Sequence, residues 1–325
     1  MKILVVGGAG YIGSHMVKLL LDKAHTAITF DNLSSGYRDA VLGGDFVKGD
    51  LSDLAALDSL FTCYKPDAVM HFASFINVGE SVQHPDKYYF NNFSNTLNLL
   101  NAMVKHDVKN FIFSSTAAVF GEPEYVPIDE AHAKNPLNPY GRSKWIVEQV
   151  LTDYERAYGL KSVCLRYFNA AGADPSGMLG ERHEPETHLI PLVLQAISGR
   201  RPSITVFGRD YDTPDGTCIR DYVHIVDLCT AHLLALVKLV DTGFSMRFNL
   251  GNGAGFSVQE VIAVAEVVTN KKVTVIEGSR REGDPARLVA DATHAKTTLG
   301  WAPVYSDLKT IIKHAWSWEC KTAGL

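Results

Sequence analysis

The chain has 325 residues, 46% of them apolar and 21% charged, a globular composition that excludes disordered, collagen-like and coiled-coil classes. It carries 31 Lys and Arg against 36 Asp and Glu, a formal charge of −5. That balance argues against nucleic acid or an anionic membrane as partner, since both need a net basic face.

Residues 3–6 form a continuous apolar run of the kind a central parallel strand shows. Residues 11–23 follow, with Ile12, Met16, Leu19 and Leu20 at helical spacing. Strands are predicted at 26–30, 68–72, 111–115 and 162–167, with helices around 88–106 and 140–158 between them. Strand and helix in alternation imply a doubly wound parallel sheet of Rossmann type, because parallel strands need crossover connections. After Gly172 the rhythm changes. Residues 173–186 read as a loop, 189–198 as a helix, 204–207 as a strand and 208–217 as turns. Residues 226–240 have a strong apolar helix pattern and 248–250 read as a short strand. The expected division is a first domain over 1–172, rejoined by about 224–251, and a smaller mixed α/β domain in the remainder of 173–325.

The cysteines are Cys63, Cys164, Cys218, Cys229 and Cys320. Their number is odd and none are spaced C-x-x-C, which fits a reducing, cytoplasmic setting and buried thiols. No membrane span is expected, and the first apolar run is too short for a signal-peptide core.

Gly7, Gly10 and Gly13 form a G-x-x-G-x-x-G pattern between a predicted strand and a predicted helix. Glycine there permits a tight turn and close approach to a pyrophosphate, while the helix N-terminus offers free N–H groups. Asp31 ends the second strand, where an acid accepts hydrogen bonds from ribose hydroxyls. A 2′-phosphate would face that carboxylate, so NAD is expected rather than NADP. Asp50 is open to two readings, an adenine contact or the N-cap of a helix after Leu51.

Tyr140 and Lys144 are four apart in a predicted helix, so they share a face. An ammonium beside a phenol favours phenolate, which makes Tyr140 a candidate general base and Lys144 its electrostatic partner. An exposed helix pair is the plainer alternative. Thr116 ends an apolar strand, and in a parallel sheet the carboxyl ends of the strands carry the ligand site. Its hydroxyl is expected beside Tyr140, unless it serves only as strand-end turn chemistry.

The stretches Gly7–Gly13 with Ser14 and His15, His71-Phe-Ala73, Ser114-Ser-Thr116, Tyr140-Gly-Arg-Ser-Lys144 and Arg166-Tyr-Phe-Asn169 follow in an order that resembles the extended short-chain dehydrogenase/reductases. With Gly216-Thr-Cys-Ile-Arg-Asp-Tyr222 and Arg280-Arg-Glu-Gly-Asp284, the chain is similar to the UDP-glucose 4-epimerase family, to about Trp318. The resemblance implies an NAD pocket lined by Tyr11, Ile12, Asp31, Asn32, Asp50, Leu51, Phe72, Ala73, Asn92, Tyr140, Lys144 and Phe168. It implies proton removal from the sugar 4-hydroxyl by Tyr140, hydride transfer from C4, rotation of the 4-keto sugar and hydride return to its other face. Arg220 and Arg281 would hold the diphosphate, with Asn169, Leu189, Thr205, Phe207 and Asp284 around the UDP. Read alone, Arg220-Asp221 is a local ion pair and Arg280-Arg281 a solvated basic turn.

His188 is placed to approach the diphosphate, a solvated ring being the alternative; the 12 histidines suggest no metal-ligand pattern, and no metal is expected. Two positions depart from the family. Ile76 stands where some members carry a lysine near the cofactor. Leu288 stands where a large tyrosine is associated with excluding N-acetyl sugars and smaller residues with admitting them. The resemblance also implies a homodimer through helices near 92–106 and 140–158. A 4,6-dehydratase is disfavoured because Ala117 and Ala118, which transfer no protons, follow Thr116. Epimerases of UDP-glucuronate or a UDP-pentose, and a non-catalytic NAD-binding sensor, remain alternatives.

Overall fold

The computed structural model describes residues 1–281 and 284–325. Six strands come first: β1 (Lys2–Val6), β2 (Thr26–Asp31), β3 (Asp45–Lys48), β4 (Ala68–His71), β5 (Asn110–Thr116) and β6 (Lys161–Tyr167). They are followed by β7 (Asn169–Ala171), β8 (Ile204–Phe207), β9 (Ile219–Arg220), β10 (Tyr222–His224) and β11 (Met246–Leu250). The last three are β12 (Phe256–Ser257), β13 (Val275–Gly278) and β14 (Arg287–Leu288).

A seven-stranded sheet runs in the order β11-β6-β5-β4-β1-β2-β3, and every pairing in it is parallel. Side chains of a strand alternate between faces, and both faces are covered here. Ile3 and Val5 join one core with Met16, Leu20 and Leu236. Leu4 and Val6 join the opposite core with Leu57, Phe61, Leu99 and Val147. That double burial is why β1 reads as an unbroken apolar run. Strand order reverses between β1 and β4, which opens a crevice at their carboxyl ends.

β11 pairs with β6, and the helix Ile225–Thr242 packs into the same core as β1. A third core joins the helices Leu189–Ser198, Val258–Thr269 and Leu308–Ala323 to β8 and β10. Small pairings complete this part: β8 with β13, β9 between β12 and β14, and β7 with β10.

The single helix expected over 88–106 is replaced by a helix Pro85–Tyr88, a π-helical turn Tyr89–Ser94 and a helix Asn95–Lys105. The wider turn carries Asn92 inward, where its amide bonds the Phe75 backbone, at 2.9 Å and 3.0 Å. Four helices had no predicted counterpart: Val78–Gln83, Val258–Thr269, Thr293–Leu299 and Leu308–Ala323. The second of these carried a readable signal, a capping box of Ser257 and Glu260.

Candidate active site

The glycine-rich turn follows β1 and opens the helix Tyr11–Asp22. Gly7 has φ +79°, and a Cβ on it would lie 2.5 Å from the Ala73 backbone nitrogen. A Cβ on Gly13 would lie 2.1 Å from the Gly7 carbonyl oxygen. Only glycine lets the turn close this tightly. The helix starts at Gly10 without a side-chain cap, so its first N–H groups, around Tyr11 and Ile12, remain free for an anion. These features fit a dinucleotide pyrophosphate.

Asp31 ends β2 and its buried carboxylate accepts the Ala9 N–H at 2.9 Å and the Leu33 N–H at 2.8 Å. Burial raises its pKa, and the two backbone donors oppose that shift. Asn32 donates to Asp50 at 2.6 Å. Asp50 also accepts from Ser52, whereas Asp53 caps the helix Leu54–Tyr64 through Ala55 and Ala56. The helix-cap reading of Asp50 is thereby corrected; the cap stands three residues later. Leu51 is buried beneath this edge. Phe72 and Ala73 leave β4 with both backbone N–H groups on the Val6 carbonyl, and so border the glycine turn. Ile76, at the missing-lysine position, is exposed.

Thr116 ends β5, and its hydroxyl accepts the Ala118 N–H at 3.1 Å. The helix Pro139–Tyr158 begins beside it, capped by Asn138 on the Gly141 N–H at 2.9 Å. Tyr140 and Lys144 lie on its inner face. The Lys144 ammonium is buried, donates to the Ser114 carbonyl at 2.9 Å and lies 4.9 Å from the Phe113 ring centre. Burial lowers its pKa to about 7. Tyr140 is shifted upward by burial, and the Thr116 hydroxyl pulls the other way. The expected lowering of Tyr140 by Lys144 is therefore corrected. Desolvation disfavours the charged form of each group, and the ammonium is engaged by a carbonyl instead of the phenol.

Phe168 packs against Ala117, Val119, Phe120 and Ile128 together with Leu288. β14 thus meets the end of β5. Asn169 donates to the Asp221 carbonyl at 2.9 Å. Thr205 and Phe207 lie on β8, and the Arg281 guanidinium stacks 4.0 Å from the Phe207 ring centre. Arg220 pairs with Asp284. Asp221 instead accepts the backbone N–H groups of Asn252, Gly253 and Ala290, so the local Arg220-Asp221 ion pair does not exist. Arg280 pairs with Asp210 and stacks on Tyr211; the solvated basic turn is replaced by two anchored guanidiniums. Glu282 and Gly283 of that motif lie outside the described residues.

His188 precedes the helix Leu189–Ser198. Its ring is not simply solvated: Nδ1 lies 2.9 Å from Glu181 and 3.0 Å from Glu186. Burial lowers its pKa, but the two carboxylates prevail and raise it to about 10. With His183 these residues form a group of metal-ligand type, contrary to the sequence reading.

A family model described as the NAD dependent epimerase/dehydratase family matches residues 3–251. The chain belongs to that family. A protein of Halalkalibacterium halodurans named UDP-glucose 4-epimerase is 51% identical over 98% of this chain and 96% of its own. The crystal structure of UDP-glucose 4-epimerase from Brucella ovis in complex with NAD has a TM-score of 0.95, at 50% identity over 97% of each chain. The UDP-Glc/GlcNAc 4-epimerase structure from Campylobacter jejuni has a TM-score of 0.86, at 44% identity over 98% of this chain and 99% of that one.

Within this family fold, some residues at the site escaped the sequence reading. Glu148 lies on the Tyr140–Lys144 face and accepts from Ser115 at 2.6 Å and from Arg166 at 2.9 Å and 2.6 Å. Its signal was a second step of four along the helix, from Tyr140 through Lys144. Tyr167, bonded to Ser114, had no such signal, because only strand pairing brings these two together.

Proposed function

We propose that the protein inverts C4 of a UDP-hexose, interconverting UDP-glucose and UDP-galactose, as an NAD-dependent isomerase. The observation that carries this is the meeting of Tyr140 and Thr116 at the end of β5, beside a glycine turn shaped for a pyrophosphate. Gly7, Gly10, Tyr11, Ile12 and Gly13 would hold the NAD pyrophosphate. Asp31 and Asn32 would take the ribose, Asp50 and Leu51 the adenine edge, and Phe72, Ala73, Asn92, Lys144 and Phe168 the remainder. With NAD bound, a hydride acceptor, and afterwards a donor, is supplied at sugar C4.

Tyr140 removes the proton of the 4-hydroxyl and later returns it, with Thr116 orienting the shared hydrogen. Lys144, when charged, favours the Tyr140 phenolate. Arg220 and Arg281 present guanidinium forks to the diphosphate, and Asn169, His188, Leu189, Thr205, Phe207 and Asp284 frame the UDP. The cofactor unit comprises residues 1–172 with about 224–251; the rest of 173–325 binds the nucleotide sugar.

The test is purified protein incubated with UDP-galactose. UDP-glucose should form without net consumption of added NAD. Tyr140→Phe should lower kcat by about 100-fold or more while NAD stays bound. Turnover by that variant near the unmutated rate would remove Tyr140 from the mechanism. Absence of product from NAD-loaded protein would favour the sensor alternative.

Leu288 is smaller than tyrosine and, like Phe168, packs against the Ala117, Val119, Phe120 and Ile128 cluster after β5, and the Campylobacter jejuni relative is named for both sugar types. We infer that UDP-N-acetylglucosamine and UDP-N-acetylgalactosamine are also substrates. Failure to convert either one at high enzyme concentration, while UDP-galactose turns over, would exclude this. Rates on UDP-glucuronate and UDP-pentoses in the same panel separate the remaining epimerase alternatives.

A homodimer through the helices near 92–106 and 140–158 is supported by the exposed Val78, Val82 and Phe90 beside them. A cytoplasmic location is supported by five cysteines that stand as free thiols. No described helix is long and apolar enough to cross a membrane.

A further inference from the structure

The segment before the helix Leu189–Ser198 carries Glu181, His183, Glu186 and His188 in a Glu-x-His-x-x-Glu-x-His run. One donor atom from each residue lies within 4.8 Å of all the others, and this is the one such group among the described residues. Glu181 Oε1 is 3.1 Å from His183 Nδ1 and 2.9 Å from His188 Nδ1. Glu186 Oε1 is 3.0 Å from His188 Nδ1, and its Oε2 is 3.6 Å from His183 Nδ1. A tetrahedral ion with bonds of about 2.0–2.2 Å separates its ligand atoms by about 3.4 Å. The observed spacings bracket that value.

A second observation points the same way. His183 Nδ1 is buried and has no hydrogen-bond partner, although two carboxylate oxygens face it at ion-pair distance. The oxygens lie off the line a hydrogen bond needs. Burial lowers the ring's pKa, but the two carboxylates prevail and raise it to about 9, so a metal ion would take the Nδ1 position in exchange for its proton. Glu186 Oε1 is fixed by the Thr187 and His188 backbone N–H groups at 2.7 Å and 2.8 Å, which leaves Oε2 for another bond. The carboxylates are 6% and 4% exposed while His188 is 35% exposed, which gives an ion a way in. The His183 ring also stands edge-on to Tyr11, 6.3 Å between centres, at the head of the glycine-turn helix.

We propose that Glu181, His183, Glu186 and His188 bind one divalent transition cation, with zinc the best match, which cross-links this segment to itself beside the glycine-rich turn. Two imidazoles and two carboxylates suit zinc, whereas calcium and magnesium take all-oxygen sets. Binding displaces the ring protons that the carboxylates hold in the metal-free chain, and two neutral rings with two carboxylates then balance the charge of a divalent ion, so no uncompensated charge is buried. His188 binds through Nδ1, and its Nε2 is left for the substrate role proposed above. The site does not depend on the epimerase reading.

The test uses the full chain, stripped with EDTA, dialysed and titrated with zinc chloride by calorimetry, with metal content read by mass spectrometry. The expected result is one zinc per chain and a higher Tm in the loaded protein. His183→Gln and Glu186→Gln should each weaken binding by about 100-fold or more while circular dichroism and NAD retention report a folded chain. Zinc below about 0.2 per chain at saturation, or equal binding by a folded His183→Gln, overturns the proposal. Should both variants fail to fold, the zinc-edge absorption spectrum of the unmutated protein decides. Two imidazoles in the first shell support the site, and a water- or sulfur-dominated shell rejects it.

Discussion

Lys144 and Tyr140 show how burial and charge compete at single residues. Four-residue spacing put them on one face, but burial moves their pKa values in opposite directions, the lysine down to about 7 and the tyrosine up. Both groups are therefore pushed toward their neutral forms in the cofactor-free chain, so Tyr140 has to lose its proton before it can act as a base. A stability consequence follows. The folded chain holds Lys144 at about 7 against its ordinary 10.5, so between those values the unfolded chain binds the extra proton. Stability of the NAD-stripped protein should then rise with pH across about 7 to 10.5, by up to roughly 1.4 kcal/mol per pH unit from this group. Lys144→Met should remove that slope. Denaturant titrations at pH 7, 8 and 9 test it; a constant difference between the two proteins over that range would contradict the buried-lysine reading.

Among the elements, the turn between β1 and the helix Tyr11–Asp22 has the least tolerance. Three glycines shared one pattern in the sequence, yet the structure grades them. A Cβ at Gly13 would sit 2.1 Å from the Gly7 carbonyl oxygen, while one at Gly10 would keep an ordinary 3.4 Å from the same atom. Gly13→Ala should therefore force the turn open, at roughly 2–3 kcal/mol, with loss of bound NAD. Gly10→Ala should cost about 1 kcal/mol or less, since φ at Gly10 is −79° and glycine is only modestly better than alanine at a helix cap. Thermal melts with measurement of retained NAD check both, and equal losses would show that the turn relaxes. The π-helical turn at Tyr89–Ser94 teaches a related lesson. Its apolar residues keep a helical rhythm, and the widened turn holds Asn92 on the Phe75 backbone.

Across the whole molecule, one carboxylate ties the helix Pro139–Tyr158 to three strands. Glu148, fully buried, holds Arg166 on β6 and Ser115 on β5, and lies 3.4 Å from Arg247 on β11. Removing one partner leaves a buried charge uncompensated. Glu148→Met should cost roughly 3–5 kcal/mol, and pairing it with Arg166→Met should recover part of the loss. Chemical denaturation of the two single variants and the double variant measures this. Simple additivity of the two single losses would mean that Glu148 and Arg166 do not act as a unit.

Six of the seven strands of the central sheet, its fold class and the residues of the glycine turn were legible in the sequence, because a doubly buried strand must be apolar throughout and a closed turn must be glycine; the edge strand β3, DFVK and only part-buried, was not. The helices Leu189–Ser198 and Pro139–Tyr158 were legible for a similar local reason, their periodicity and the proline at the start of the second. What the sequence left open was decided by residues far apart along the chain. Arg220 meets Asp284 instead of its neighbour Asp221, because β9 lies between β12 and β14 and Asp221 is drawn to three backbone N–H groups. Protonation was likewise outside its reach. Spacing sets which groups can meet, but desolvation depends on everything packed around them, and only the folded chain fixes that.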